Sequence, residues 1–503
     1  MQKPVNATYR IISNSISILA SDVMNRISMF LTYALVARFL GTLDFGQMAL
    51  AFTYFNAFQM IAVAGLQSYI TREVAKDHDK SQEFLLNASV VVVITSSIAI
   101  LVLLLLVQIL KYNVDTSVVI MMLSLGLIPF SLAAVCDALF QAREQMHYIT
   151  MANFFVNVLR ISGVLLLLWW KGSLQLLVGF FVLTFVFNFI TKISILLRQI
   201  KHTGAKLDIK SCLIMAKSST TFLGINGVNA AIGSFNIILL SKFTDEVQVG
   251  IFAAAHQLLT PISLLFESVV VGVYPAMCRG FESGLDTLKR MTRRAWEVLF
   301  AIVMPAAVTL FFLADSLFVF IYGNEDFTQS AFVLKIIVWN LVLRASSKVL
   351  GVALIASFRE KKTLQILTID LITMVILGFI LIGKFGVLGS ALTILAVRIV
   401  EVDVPAALGL CAYPGGNGIV GDHGGDPGSE SIGIDAHHVA GRRVVAGEGV
   451  GVGLPVVAAP EGIQFRFVGE WNSGVGKKAE SVNSSLTETT AEIEAGPQGL
   501  VFG

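Results

Sequence analysis

Residues 84–110 read FLLNASVVVVITSSIAILVLLLLVQIL, and this run decides the fold. It contains no Asp, Glu, Lys or Arg, and it lacks the polar face that a surface helix of a soluble protein carries. An α-helix rises about 1.5 Å per residue, so about 20 apolar residues cross the ~30 Å hydrocarbon core of a bilayer. The stretch is therefore predicted to be a membrane-spanning helix.

Apolar runs of the same kind recur on both sides of this one. Charged residues make up only 14% of the chain and the mean hydropathy is +0.78, which is typical of a membrane protein. The formal net charge of +2 indicates no general attraction to nucleic acid. We predict an all-α polytopic membrane protein with about 12 transmembrane helices, at residues 12–37, 46–70, 84–110, 117–140, 148–170, 174–197, 213–241, 248–277, 296–322, 329–357, 364–383 and 385–402.

Every second loop between these spans is rich in Lys and Arg. Short cytoplasmic loops carry an excess of Lys and Arg, whereas the odd-numbered loops here carry one basic residue or none. We therefore expect the N-terminus to be cytoplasmic. The basic positions that lead to this orientation are Lys3, Arg10, Arg72, Lys76, Lys80, Arg143, Arg198, Lys201, Lys206, Lys210, Lys217, Arg279, Lys289, Arg290, Arg293, Arg294, Arg359, Lys361 and Lys362.

Two distant segments of the chain have similar sequences. Residues 37–51, ARFLGTLDFGQMALA, match residues 241–255, SKFTDEVQVGIFAAA, at a constant offset that pairs Gly46 with Gly250. Because six spans separate the two segments, both halves have the same orientation. We predict two six-helix bundles, residues 1–200 and 201–403, related as a parallel pseudo-repeat about an axis along the membrane normal. A chance match between apolar helices with small residues is the alternative.

Several ionisable residues lie at membrane depth, where a charge is costly and usually faces the protein interior. Four cations from different spans are candidates to bind an anionic substrate, above all a phosphate held by forked hydrogen bonds: Arg26, Arg160, Arg344 and Lys348. Pairing with nearby acids is the alternative, for instance Asp22 with Arg26, or Glu267 with a cation of the tenth span. Three carboxylates are candidates for coupling to a proton or sodium ion: Asp22, Glu267 and Asp370.

Motifs for chemistry are not found in the spans. The four cysteines are scattered, and no phosphate-binding loop, HExxH or G-x-S-x-G motif occurs there. We therefore expect no metal, no cofactor and no catalytic residues.

The segment 37–76, ARFLGTLDFGQMALAFTYFNAFQMIAVAGLQSYITREVAK, resembles a known family. Its succession of A-R-x-L-G, F-G, G-L and R-E-V-A is similar to the N-terminal part of bacterial polysaccharide-biosynthesis flippases. This family belongs to the multidrug/oligosaccharidyl-lipid/polysaccharide exporter superfamily. Further similar segments are VGIFAAAHQL at 249–258, VYPAMCR at 273–279 and IYGNEDFTQSAFVLKIIVWN at 321–340.

The resemblance implies a function as well as a fold. It implies movement of a polyprenyl-diphosphate-linked oligosaccharide, a repeat unit of O-antigen, capsule or exopolysaccharide, to the outer leaflet by alternating access. The expected partners are membrane lipids and the polymerase and glycosyltransferases of the same pathway. The alternatives are a multidrug or small-cation exporter of the same superfamily, and a membrane-embedded glycan polymerase or ligase.

The last hundred residues break the pattern. They hold 21 of the 42 glycines, and no apolar run there reaches spanning length. We interpret residues 404–503 as a Gly-rich tail. It is a poorly ordered extension, a small β module, or out-of-frame sequence in place of further helices.

Overall fold

The computed structural model describes residues 7–63, 65–200, 207–323, 327–357 and 359–407, all within one compact unit. These ranges fold into α-helices and one short 3₁₀ helix, His78–Lys80. The α-helices are α1 (Ala7–Val63), α2 (Leu66–Lys76), α3 (Ser81–Leu110), α4 (Val114–Ser124), α5 (Leu127–Ala142), α6 (Met146–Trp169), α7 (Leu174–Leu197), α8 (Ile209–Phe243), α9 (Glu246–Glu282), α10 (Leu285–Tyr322), α11 (Thr328–Ile337), α12 (Trp339–Ala356), α13 (Glu360–Phe385) and α14 (Val387–Ala407).

All twelve predicted spans are helical. The first two lie in α1, which breaks at Gly41, where φ is +82°. The second span then continues as α2 after Gly65, which has φ of +71°. Glycine adopts such angles without strain, so Gly41 breaks α1 in the loop between the first two predicted spans, and Gly65 interrupts the helix inside the second span. The fourth span consists of α4 and α5, and the tenth of α11 and α12.

Helix length and composition agree with a membrane protein. Among the described residues, eight helices are long and apolar enough to cross a bilayer. The first of them, Ile16–Lys76, contains the first two predicted spans. The seventh, eighth and twelfth predicted spans lie in α8, α9 and α14. The chain is therefore a polytopic protein with about twelve transmembrane helices.

The two halves meet along α1. In the first half α1 packs against α3, α4 and α6, and in the second half it packs against α8 and α9. One apolar core runs through both halves and includes Phe45. The centre of its ring lies 5.9 Å from the ring centre of Phe327 and 6.4 Å from that of Tyr322. Burial of apolar and aromatic surface thus joins the bundles at the level of residue 45.

The sequence echo corresponds to a direct contact. A Cβ atom built on Gly46 would lie 1.8 Å from the carbonyl oxygen of Glu246, and one built on Gly250 would lie 2.3 Å from that of Thr42. The same offset in residue number exchanges the two contacts, so the two matched segments pack against each other. The helices approach so closely because neither carries a side chain at the crossing.

A second pair of contacts links the halves. Lys242 donates to the carbonyl oxygen of Leu110, 2.6 Å away, at the end of α3. Arg38, which matches Lys242 at the offset of the sequence repeat, has its guanidinium beside Gly323, where α10 ends. Cations stabilise helix C-termini, where the last carbonyl groups and the dipole are negative. Each half therefore places one cation at a helix end of the other, while the parallel pseudo-repeat of two six-helix bundles stays a prediction.

The predicted tail is described only at its start. Helix α14 continues through Ala407, beyond the boundary predicted at residue 403. Residues 408–503 lie outside the described residues, so the three interpretations of the tail remain as they stand.

Candidate functional site

Helix α6 presents a row of polar side chains to α1. Asn153, Asn157 and Arg160 lie at i, i+4 and i+7, which places them on one helix face. The Asn153 amide donates to the Ser21 hydroxyl, 2.7 Å away. The Asn157 amide donates to the side-chain oxygen of Asn25, 2.6 Å away. These hydrogen bonds fix the spacing between α6 and α1 and leave Arg160 at the end of the row.

Arg160 is a buried cation without a counter-ion. Its side chain and backbone together are only 8% exposed. The guanidinium donates through Nη1 to Oδ1 of Asn157 at 3.2 Å, while its buried Nε has no hydrogen-bond partner. Within the described ranges no carboxylate lies within 4.0 Å of it. An ion in this position is costly unless a negative group approaches it.

A second group of charges joins the two halves. Glu267 of α9 forms a salt bridge with Arg26 of α1, with Nη2 and Oε2 3.2 Å apart. It also accepts from Arg344 of α12, with Nη2 and Oε1 3.4 Å apart. One carboxylate thus bridges two guanidinium groups from opposite halves of the chain.

This arrangement corrects one expectation and supports another. The i, i+4 spacing of Asp22 and Arg26 predicts a local ion pair, but Asp22 is exposed and forms no salt bridge with any described residue. Arg26 instead pairs with Glu267, because α9 packs along α1 and the Glu267 carboxylate is less exposed than Asp22. The predicted pairing of Glu267 with a cation of the tenth span is found in Arg344.

Lys348 extends this group by one turn of α12. It lies close enough to Arg344 and Glu267 to interact with them electrostatically. No carboxylate of a described residue lies within salt-bridge distance of its ammonium group. The second half therefore holds two cations, Arg344 and Lys348, near Glu267, which Arg26 also contacts, and the Arg398–Glu401 pair of α14 lies near enough to interact with both.

Asp370 lies apart from these cations, on α13. It is 1% exposed, and its Oδ1 atom has no hydrogen-bond partner among the described residues. Arg398 and Glu401 of α14 lie near it and are hydrogen-bonded to each other. The structure thus brings Arg26, Glu267, Arg344 and Lys348 together, and it leaves Arg160, Asp22 and Asp370 in separate surroundings.

One buried ion pair is absent from the sequence-based predictions. Lys192 of α7 donates to Asp137 of α5, with Nζ and Oδ2 2.7 Å apart, and the lysine side chain is only 4% exposed. Both residues stand near the end of a predicted span, the fourth and the sixth, which run in the same direction. Matching ionisable residues by depth in parallel spans is the signal that would have found this pair.

The described residues contain no group of three or more His, Cys, Asp or Glu side chains placed to hold a metal ion. The charged groups that the structure brings together at these sites are mainly guanidinium and ammonium groups.

Comparison with known proteins identifies the family. The chain belongs to the polysaccharide biosynthesis protein family, whose sequence profile matches residues 11–281. It is 22% identical over 263 residues to a capsular polysaccharide biosynthesis protein, CapF, of Staphylococcus aureus. That match covers 51% of this chain and 65% of the relative, so the chain spans less than two thirds of the length of this curated relative.

Solved structures share the fold at low sequence identity. An inward-facing multidrug-resistance transporter of the MATE family, in the MOP superfamily, aligns with a TM-score of 0.64 at 13% identity, covering 78% of this chain and 97% of its own. The lipid II flippase MurJ, in an inward closed conformation, aligns with a TM-score of 0.61 at 16% identity, covering 80% and 88%. These likenesses confirm the fold of a membrane transporter or flippase.

Proposed function

We propose that this protein is a flippase that moves a polyprenyl-diphosphate-linked oligosaccharide across the bacterial inner membrane by alternating access. Membership of the polysaccharide biosynthesis family supports this proposal, as does the name of the capsular relative. The fold shared with a lipid II flippase is consistent with a lipid-linked cargo. In this proposal the protein performs no chemistry and works beside the polymerase and glycosyltransferases of its pathway.

The observation that carries the proposal is the state of Arg160. Among the described residues, the buried guanidinium has one amide partner and its Nε has none. Burying a charge with so few partners costs free energy. A diphosphate supplies the missing negative charge and accepts forked hydrogen bonds from a planar guanidinium. We infer that Arg160, together with Arg26, Arg344 and Lys348, binds the charged headgroup of the cargo.

The proposed orientation determines which end of the helices faces the outside of the cell. If the basic loops face the cytoplasm, the crossing of Gly46 with Gly250 lies on the outer side of the membrane. The backbones touch there, whereas Arg26 and Glu267 meet nearer the middle of their spans. We infer that the described conformation is closed to the outside and takes up cargo from the inner leaflet.

Complementation of a flippase-deficient strain tests the proposal. We expect Arg160→Ala or Arg344→Ala to abolish surface polysaccharide while the protein still inserts into the membrane at normal levels. Lys335→Gln is the matched control, since Lys335 is a cation at the start of the tenth span that pairs with Asp315 at 2.6 Å. Full activity of both alanine variants, alone and combined, would contradict the assignment.

Asp370 is the one feature that favours the exporter of small cations. A buried carboxylate with an unpartnered oxygen is suited to binding a cation or a proton. An exporter of this kind would confer resistance to a cationic dye such as ethidium, and Asp370→Asn would remove that resistance. Under the flippase proposal, expression of the protein leaves ethidium resistance unchanged.

A further inference from the structure

Glu267 occupies an unusual place between the two halves. Each of its carboxylate oxygens forms a salt bridge with a different guanidinium, Oε2 with Arg26 and Oε1 with Arg344. Arg26 belongs to the first half of the chain and Arg344 to the second. The bridge is the one salt link between the bundles that the described residues form.

We propose that Glu267 is an internal substitute for the anionic headgroup, which it resembles in charge and geometry and which displaces it. This inference rests on the proposed function, because it assigns a regulatory role to an acid within the same binding site. In the empty carrier Glu267 holds Arg26 and Arg344. When a diphosphate arrives, its oxygens take over both guanidinium groups and the carboxylate is released.

The charges favour such an exchange. A carboxylate offers one negative charge to two cations, whereas a diphosphate offers about two charges and more acceptor oxygens. Guanidinium groups bind phosphate and carboxylate with the same planar fork, so the exchange needs no new geometry. Lys348, which has no salt bridge of its own within the described ranges, lies near enough to add a third cation.

The accessibility of the site also fits an exchange. The side chains of Arg26, Arg344 and Glu267 are 40%, 30% and 20% exposed, so an incoming anion can reach them. The Lys192 side chain, in a fully formed internal pair, is 4% exposed. In addition, the Arg344 guanidinium lies 5.9 Å from the centre of the Phe266 ring, which helps to keep it in position when the carboxylate leaves.

Displacement of Glu267 has a mechanical consequence. The Arg26–Glu267 contact joins α1 to α9 near the middle of the membrane, while the contact of Gly46 with Gly250 joins the same helices elsewhere along their length. Headgroup binding breaks the first link and leaves the second. The two halves are then free to move about the remaining crossing, and the acid pairs again after the cargo leaves.

Binding of geranylgeranyl diphosphate to the full chain in lipid nanodiscs tests this inference. We expect Glu267→Gln to bind this probe about fivefold more tightly than the wild type, since a competing half-exposed ion pair is removed. Asp315→Asn is the matched control, because it removes the same charge from a pair, with Lys335, that joins α10 to α11. We expect its affinity to stay within about twofold of the wild type, as for an exposed pair remote from the headgroup.

Unchanged or weaker binding by Glu267→Gln would overturn the inference, and so would equal tightening by Asp315→Asn, which would indicate a general effect of charge. The proposed function is tested separately by Arg344→Gln. If that variant binds the probe as the wild type does, or if the wild type does not bind it, the flippase proposal fails. If Arg344→Gln binds weakly while Glu267→Gln shows no gain, only the role of Glu267 fails.

A distance measurement gives an independent readout. Spin labels at His147→Cys, an exposed position in the first turn of α6, and at Ser283→Cys, an exposed position in the loop between α9 and α10, report the separation of the bundles. We expect the empty Glu267→Gln protein to show the distance distribution that the wild type shows only with the probe bound. A distribution identical to that of the empty wild type would contradict the displacement.

Discussion

Two cations are buried in the first half of the protein, and their surroundings differ in one respect. Lys192 is 3% exposed and lies 2.7 Å from the carboxylate of Asp137. Arg160 is 8% exposed, and its nearest described acceptor is a neutral amide oxygen at 3.2 Å. Both side chains stand on helices that span the membrane, and both have lost nearly all contact with solvent.

We propose that this difference separates a charge that stabilises the fold from one that binds a ligand. The two charges of a buried ion pair neutralise each other, so Lys192 and Asp137 need no ligand to balance them. A buried guanidinium without a carboxylate is retained against its cost, which is typical of residues that bind a charged substrate inside a membrane protein. The contrast predicts that the same substitution has opposite consequences at the two positions.

The largest effect is expected at the paired cation. Lys192→Met removes the partner of Asp137 and leaves a buried carboxylate uncompensated, which costs about 3–5 kcal/mol of stability. Thermal unfolding of the purified protein, followed by the fluorescence of a thiol-reactive dye or by size-exclusion chromatography, measures this loss. The double variant Asp137→Asn/Lys192→Met is the control and regains most of the stability. A single variant as stable as the wild type would remove the contrast.

A much smaller effect on stability is expected at the unpaired cation. Arg160→Met removes a buried charge that no described carboxylate compensates, so the free energy of unfolding changes by less than about 1 kcal/mol or rises. The same unfolding assay measures it. A loss comparable to that of Lys192→Met would indicate that Arg160 holds the fold together, and the contrast between the two sites would fail.

Most of the fold follows from the sequence, because apolar length alone specifies a membrane span. The breaks within spans do not, since Gly65 and the junction of α11 with α12 leave the apolar pattern unchanged. The repeat was visible as a matched pair of glycines. That Gly46 and Gly250 touch each other depends on how the halves pack, which an offset in residue number does not contain.

The candidate site is less predictable than the fold. Depth within a span was enough to select Arg160 and Arg344 as interior cations. The partner of each ionisable residue depends on which helices pack together. Helical spacing suggests a carboxylate on the neighbouring turn of α1 as the partner of Arg26, but the observed partner lies on α9. The pair of Asp137 and Lys192 went unnoticed for the same reason, since its members lie on helices that are distant in sequence.

The affinity of the protein for geranylgeranyl diphosphate in nanodiscs, compared between the wild type and Arg160→Gln, tests the central claim most directly. Hydrogen bonds to a charged group contribute about 1.5–3 kcal/mol, so we expect the variant to bind about 10- to 100-fold more weakly. The Asp137→Asn/Lys192→Met protein should bind as the wild type does. Equal affinity of Arg160→Gln and the wild type would contradict the account of Arg160 as a headgroup-binding residue.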